Sequence, residues 1–105
     1  MHSPTPLENE FHKEMLAIYQ TARSECGYNA TRFLNMVANN GGLKTAKRLL
    51  ANEIPSDGFI ELVTRCRIDL TVEALVVKEK YRSLFDEREI QIALKRLDEY
   101  GCEIK

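Results

Sequence analysis

A chain of 105 residues, 44% hydrophobic and 30% charged, has the length of one domain and the composition of a folded globular protein, which excludes a disordered or low-complexity class. Its formal net charge of −1 supplies no overall attraction to nucleic acid or to an anionic membrane. No apolar run approaches the roughly 20 residues that a membrane-spanning helix needs.

Pro4 and Pro6 punctuate a polar leader, residues 1–6, expected to be loose. Leu7, Phe11, Met15, Ile18 and Ala22 then recur at helical spacing and predict a first helix from Leu7 to Cys26, closed by Gly27. A second helix is expected to start near Asn29 as N-cap, with Phe33, Leu34, Met36 and Val37 turned inward, and to end at Asn39-Asn40-Gly41-Gly42. A third, Leu43 to about Ala51, buries Leu43, Ala46, Leu49 and Leu50 and turns Lys44, Lys47 and Arg48 out. Ser56 caps a fourth helix carrying Phe59, Leu62, Val63 and Cys66 on one side.

The stretch Ile68–Val77 alternates like a strand at Ile68, Leu70 and Val72, yet Val72, Leu75 and Val76 also share a helical face. A lone strand has no partner here, so a short buried helix capped near Asp69 or Thr71 is expected. Tyr81, Leu84 and Phe85 form a helical turn, and Asp86 with Glu89 marks the capped start of the last helix, ending at Gly101. The fold class is therefore all-α: a single orthogonal bundle of about six short helices, residues 1–105.

Chemistry-bearing residues are sparse. His2 and His12, with Glu8 one turn before His12, fall short of the four ligands that zinc takes, so no metal, cofactor or catalytic residue is assigned. Gly41-Gly42 lacks the Lys-Ser/Thr of a phosphate loop and reads as a turn. Cys26, Cys66 and Cys102 form no framework and are expected to be free and mostly buried, as in a cytoplasmic protein; the first residues lack the pattern of a secretory signal.

The densest polar cluster is Arg65, Arg67, Asp69 and Glu73. Asp69 and Glu73 stand four apart, so both carboxylates could share a helical face, with Lys78 and Lys80 nearby; Arg65 and Asp69 also have the spacing of a helix ion pair. Residues 27–68 hold six basic against three acidic residues, between acidic flanks. Lys44, Lys47 and Arg48 on a helix-turn-helix-like segment could meet DNA, although Asp57 and Glu61 on its second helix would face phosphates badly.

The pattern Gly27-Tyr28-Asn29-Ala30-Thr31-Arg32-Phe33-Leu34-Asn35-Met36-Val37, then Gly41-Gly42-Leu43, Ser56-Asp57-Gly58-Phe59 and Arg67-Ile68-Asp69-Leu70-Thr71-Val72-Glu73, resembles a widespread group of short bacterial proteins. The likeness covers roughly residues 27–101 and implies a bacterial stand-alone domain; no activity comes with it. The residues themselves point to a module that binds and does not catalyse. Its partner is expected to be a protein, met by Tyr28, Arg32, Arg65, Arg67, Asp69 and Glu73. A DNA-associated domain using Lys44, Lys47 and Arg48 is the alternative, and no membrane partner is expected.

Overall fold

Several helix starts in this chain follow local capping chemistry. In the computed structural model, which describes residues 5–101, Thr5 Oγ1 accepts from the Glu8 amide at 3.2 Å while Glu8 Oε2 accepts from the Thr5 amide at 2.9 Å. This reciprocal box, with Pro6 in the first helical position, starts α1 (Pro6–Cys26) one residue early and places Thr5 and Pro6 in a defined cap, not in a loose leader. His2, Pro4 and Cys102 lie outside the described residues.

Asn29 does not cap the second helix. Its Oδ1 accepts from the Tyr19 hydroxyl at 2.7 Å, and α2 (Thr31–Asn40) starts after Ala30 with no side-chain cap. Val37 is fully buried, whereas Phe33, Leu34 and Met36 are half-buried. Gly41, at φ 85°, ends α2 and begins α3 (Gly42–Ala51); only glycine adopts that conformation without strain, so the two helices meet with no loop.

Ser56 Oγ accepts from the Phe59 amide at 3.1 Å and starts α4 (Asp57–Thr64), as its position suggested. The helix closes on bonds from the Cys66 amide to Val63 O and from the Arg67 amide to Leu62 O. Cys66 therefore stands past the helix, at φ 61° and exposed, not on its apolar face. Cys26 is half-buried, and both thiols are free.

The ambiguous stretch contains no strand. Ile68–Leu70 is one 3₁₀ turn, and Thr71 then caps α5 (Val72–Val76) by accepting from the Ala74 amide at 3.2 Å. A second 3₁₀ segment, Glu79–Leu84, leads to α6 (Glu87–Gly101), started by reciprocal bonds between Asp86 and Glu89 of 2.8 and 2.9 Å. Among the described residues the fold is helical throughout, a small all-α bundle.

The main core joins Phe11 and Met15 of α1, Val37, Ala46 and Leu50, Val76, Tyr81 and Ala93. Phe11 meets the rings of Tyr81 and Phe85 edge-on at 5.2 and 5.4 Å. The third helix is the hub, packing on α1, α2, α5 and α6, while α4 leans chiefly on the first 3₁₀ turn. A smaller cluster of Ala22, Leu62 and Leu70 holds that side.

His12 is half-buried, not an idle surface histidine: its Nδ1 accepts from the amide of Gly42, the first residue of α3, at 2.9 Å. One orphan donor of that helix end is satisfied by a side chain from α1. The close approach depends on Gly42, because a Cβ there would stand 2.8 Å from His12 Cα.

Two substitution series test this packing. Gly42→Ala should lower stability by about 1–3 kcal/mol through overpacking against backbone. Gly58→Ala, whose new Cβ meets only ordinary contacts at 3.7 and 3.8 Å, should raise it by about 0.5–1 kcal/mol. Urea titrations giving both changes the same sign would refute the close α1–α3 contact. Separately, Cys66→Gly should stabilise by about 1 kcal/mol, since glycine adopts the left-handed conformation freely; a loss in the same assay would show that the thiol packs.

Candidate functional site

Four of the six residues expected to meet a partner come together where the end of α1 faces the end of α4. Gly27, left-handed at φ 68°, turns the chain so that Tyr28 lies against α4. Arg65 reaches back across this corner. Its Nη1 donates to Cys26 O at 2.5 Å, its Nε donates to Glu61 Oε1 at 2.8 Å, and its guanidinium lies 5.6 Å from the Tyr28 ring centre. Burial, followed by the charges of Glu61 and Asp57, raises the Tyr28 phenol above its ordinary range.

Arg67 bridges two elements, donating to Glu25 Oε1 at 2.7 Å and to both oxygens of Asp69 at 3.1 and 3.2 Å. The Arg67 bond holds the Asp69 carboxyl below its usual range, and the two acids raise the guanidinium further. The expected Arg65–Asp69 pair is absent, because Asp69 sits in the 3₁₀ turn and Arg65 takes Glu61 one turn back. These arginines tie α1 to the α4–3₁₀ junction, and exposed ion pairs of this kind contribute at most about 1 kcal/mol each. Arg32 stands apart on α2, exposed, with no hydrogen bond or ion pair among the described residues.

Glu73 belongs to a different structure altogether. It is 2% exposed, and Arg96 of α6, 6% exposed, donates to its Oε2 at 3.0 Å. It therefore neither shares a face with Asp69 nor offers itself to a partner. Arg96 also donates to Leu49 O at 3.2 Å and to Asn52 O at 2.6 Å, the carbonyls at the end of α3. Burial pushes the Glu73 carboxyl above the ordinary glutamate range against the opposing pull of Arg96. Sequence reasoning missed Arg96, although the signal was there: one cation three residues after Ala93, on the apolar stripe of the last helix.

Two concavities adjoin the corner. A small cavity of about 40 Å³ lies between Phe33, Phe59, Leu62 and Val72, with Tyr28 at its wall. A groove of about 240 Å³ runs between α1 and the Ile68–Val76 stretch, with Ile18, Leu70 and Leu75 on its apolar floor and Glu14, Asp69 and Lys78 on its rim. Ile18 and Leu70 form the wall common to both.

The basic face of α3 is partly spent. Lys47 is half-buried, donates to Glu89 Oε1 at 2.8 Å and stands 5.2 Å from the Phe85 ring centre, which leaves Lys44 and Arg48 exposed. With α3 packed on α1, α2, α5 and α6, and α4 on the 3₁₀ turn, the two do not form the expected helix-turn-helix pair. Among the described residues no three His, Cys, Asp or Glu side chains gather as metal ligands, and no helix is long and apolar enough to cross a membrane. Comparison with protein-family models, with curated proteins and with solved structures gave no match.

The buried pair makes two expectations. Glu73→Ala leaves Arg96 buried without its anion and should cost about 3–5 kcal/mol. A carboxyl raised in the folded state favours its protonated form there, so its contribution is greatest below the ordinary glutamate value and falls as pH rises through the raised one. The stability of the native chain relative to Glu73→Gln should accordingly decline between about pH 4 and neutrality, by urea titration at stepped pH; a rising difference would reverse the assignment.

Proposed function

We propose that this domain works by binding a protein, as an interaction or regulatory module, and not by catalysis. The observation that carries the reading is the groove along α1: about 240 Å³, apolar at its floor and charged at its rim. That is smaller than the roughly 300–1,000 Å³ of small-molecule sites and suits one or two side chains of a partner. Its Asp69 end is continuous with the Arg67–Glu25 bridge, so the face named from sequence borders the groove. Glu73 is not part of it. Free thiols at Cys26 and Cys66 suit a cytoplasmic setting.

DNA binding is the weaker reading. Its support is Lys44 and Arg48, one turn apart and exposed, without ion partners among the described residues. Against it stand the commitment of Lys47 to Glu89 and the acids Asp57 and Glu61 on α4.

Ala17 is exposed on α1 and lines the groove, so Ala17→Arg fills the site without disturbing the core. The tagged chain should retain a protein from its host extract after nuclease treatment. Ala17→Arg, equally helical by circular dichroism, should lose at least ~90% of it, since a filled groove excludes the anchor side chain. Duplex DNA binding at micromolar strength or tighter, steeply weaker between about 50 and 200 mM salt and abolished by Lys44→Ala with Arg48→Ala, would replace the protein reading with the nucleic-acid one.

A further inference from the structure

The bond between His12 and α3 has a single chemical form. A backbone amide can only donate, so His12 Nδ1, 2.9 Å from the Gly42 nitrogen, carries the lone pair and the ring proton sits on Nε2. The ring is therefore neutral in this arrangement. Imidazole is the side chain that takes up a second proton in the physiological range. On His12 that proton would occupy Nδ1 and set one N–H against another, so protonation does not weaken the bond but removes it.

The bond clasps a corner that little else holds to α1. Gly42 follows Gly41, where α2 ends and α3 begins. The start of α2 has no side-chain cap, and Val37 is its one fully buried residue. Within the corner, the Gly41 amide donates to Val37 O at 2.8 Å and the Thr45 amide to Gly41 O at 3.1 Å, and His12 ties that turn to α1. Phe11 and Met15, both fully buried, keep α1 on the core whatever the charge of the ring, which confines the change to the corner.

The surrounding charges favour release of a protonated ring. The first amides of α3 form the positive end of its dipole, and its charged residues, Lys44, Lys47 and Arg48, are all basic. α2 brings no acid. Of the two 3₁₀ pieces packed on α1, Asp69 is bonded to Arg67, Lys80 to Glu10 and Arg82 to Val77 O, and Glu79 is exposed. On α1 itself, Glu8 stands one turn before His12 and accepts from the Thr5 amide. A charged ring that turned toward Glu8 would leave Gly42 all the same.

We propose that the α2–α3 corner is a proton-operated hinge, clasped to α1 while His12 is neutral and released when His12 takes a proton. The test is an NMR titration of the full chain from about pH 8 to about pH 5, which spans the imidazole range. As pH falls, the Gly42 amide proton should move upfield in step with the His12 ring Hε1, and the nitrogen–nitrogen coupling across the bond should vanish. The amides of residues 39–41 should move with it, while that of Ala93 in the core stays in place. His12→Asn puts an oxygen that cannot titrate in the place of Nδ1 and should reduce the Gly42 shift at least ~5-fold. His2→Gln, at the other histidine of the chain, should leave the response intact.

A Gly42 amide that stays still while the His12 ring titrates, or that moves in step with His2, would overturn the proposal. So would an equal shift in His12→Asn, or a shift at Gly42 that leaves residues 39–41 unmoved. Should His12→Asn fail to fold, the coupling and the step with the His12 ring in the native chain decide the matter alone.

Discussion

The fold turns on one buried guanidinium. The last carbonyl groups of a helix have no partner within it and take donors from elsewhere. The hub helix α3 ends at exposed Ala51 and Asn52, and Arg96 of α6, itself buried, supplies donors to Leu49 O and Asn52 O together. The positive charge also suits the negative end of the helix dipole. A buried cation needs an anion, because effective desolvation costs several kcal/mol per ion, and Glu73 of α5 provides it at 3.0 Å. Three elements far apart in sequence are thereby held in one register. Apolar residues of the same volume could match the stability, but they would not select that register by hydrogen-bond geometry.

The other end of α3 is fixed by a different device with the same logic. His12 accepts from its first amide, and the absent side chain of Gly42 lets α1 come close enough for that bond. Between the ends, Ala46 and Leu50 are buried in the core. A helix held at both ends by polar bonds and along its length by packing has one rotational setting. That setting places Lys44 and Arg48 in solvent and brings Lys47 onto Phe85 and Glu89. The basic face of α3 is a consequence of how its apolar side is locked.

Local chemistry made much of the fold legible. Spacing located α1, Asp86 with Glu89 marked the start of α6, and Ser56 and Thr71 capped the helices they preceded. What stayed hidden was tertiary. Asn29 is a good cap residue by type, but Tyr19, ten residues earlier, takes its side chain. Cys66 falls on the apolar spacing of α4, yet the helix stops two residues short and the chain turns left-handed there. The sequence spacing of Asp69 and Glu73 implied a shared face; a 3₁₀ turn followed by a fresh cap at Thr71 breaks the helical phase between them. One then stays at the surface and the other is buried. Four of the expected contact residues do meet, but their arginines are taken up by bonds within the fold, to Cys26 O, Glu61, Glu25 and Asp69, and the groove beside them could not be read from spacing because its walls are joined only by folding.

That groove exists because the segment opposite α1 is broken into short pieces. The 21 residues of α1 form one continuous wall, whereas the facing chain runs through a 3₁₀ turn of three residues and a helix of five. Short elements cannot follow a long helix closely, so a trough remains between them. Acids spaced along α1 cross it to Lys80, Lys78 and Arg67, and the contacts are tight at the two ends and loose in the middle, at Glu14. The longest of the three pairs lies along the groove, beside Ile18, Leu70 and Leu75.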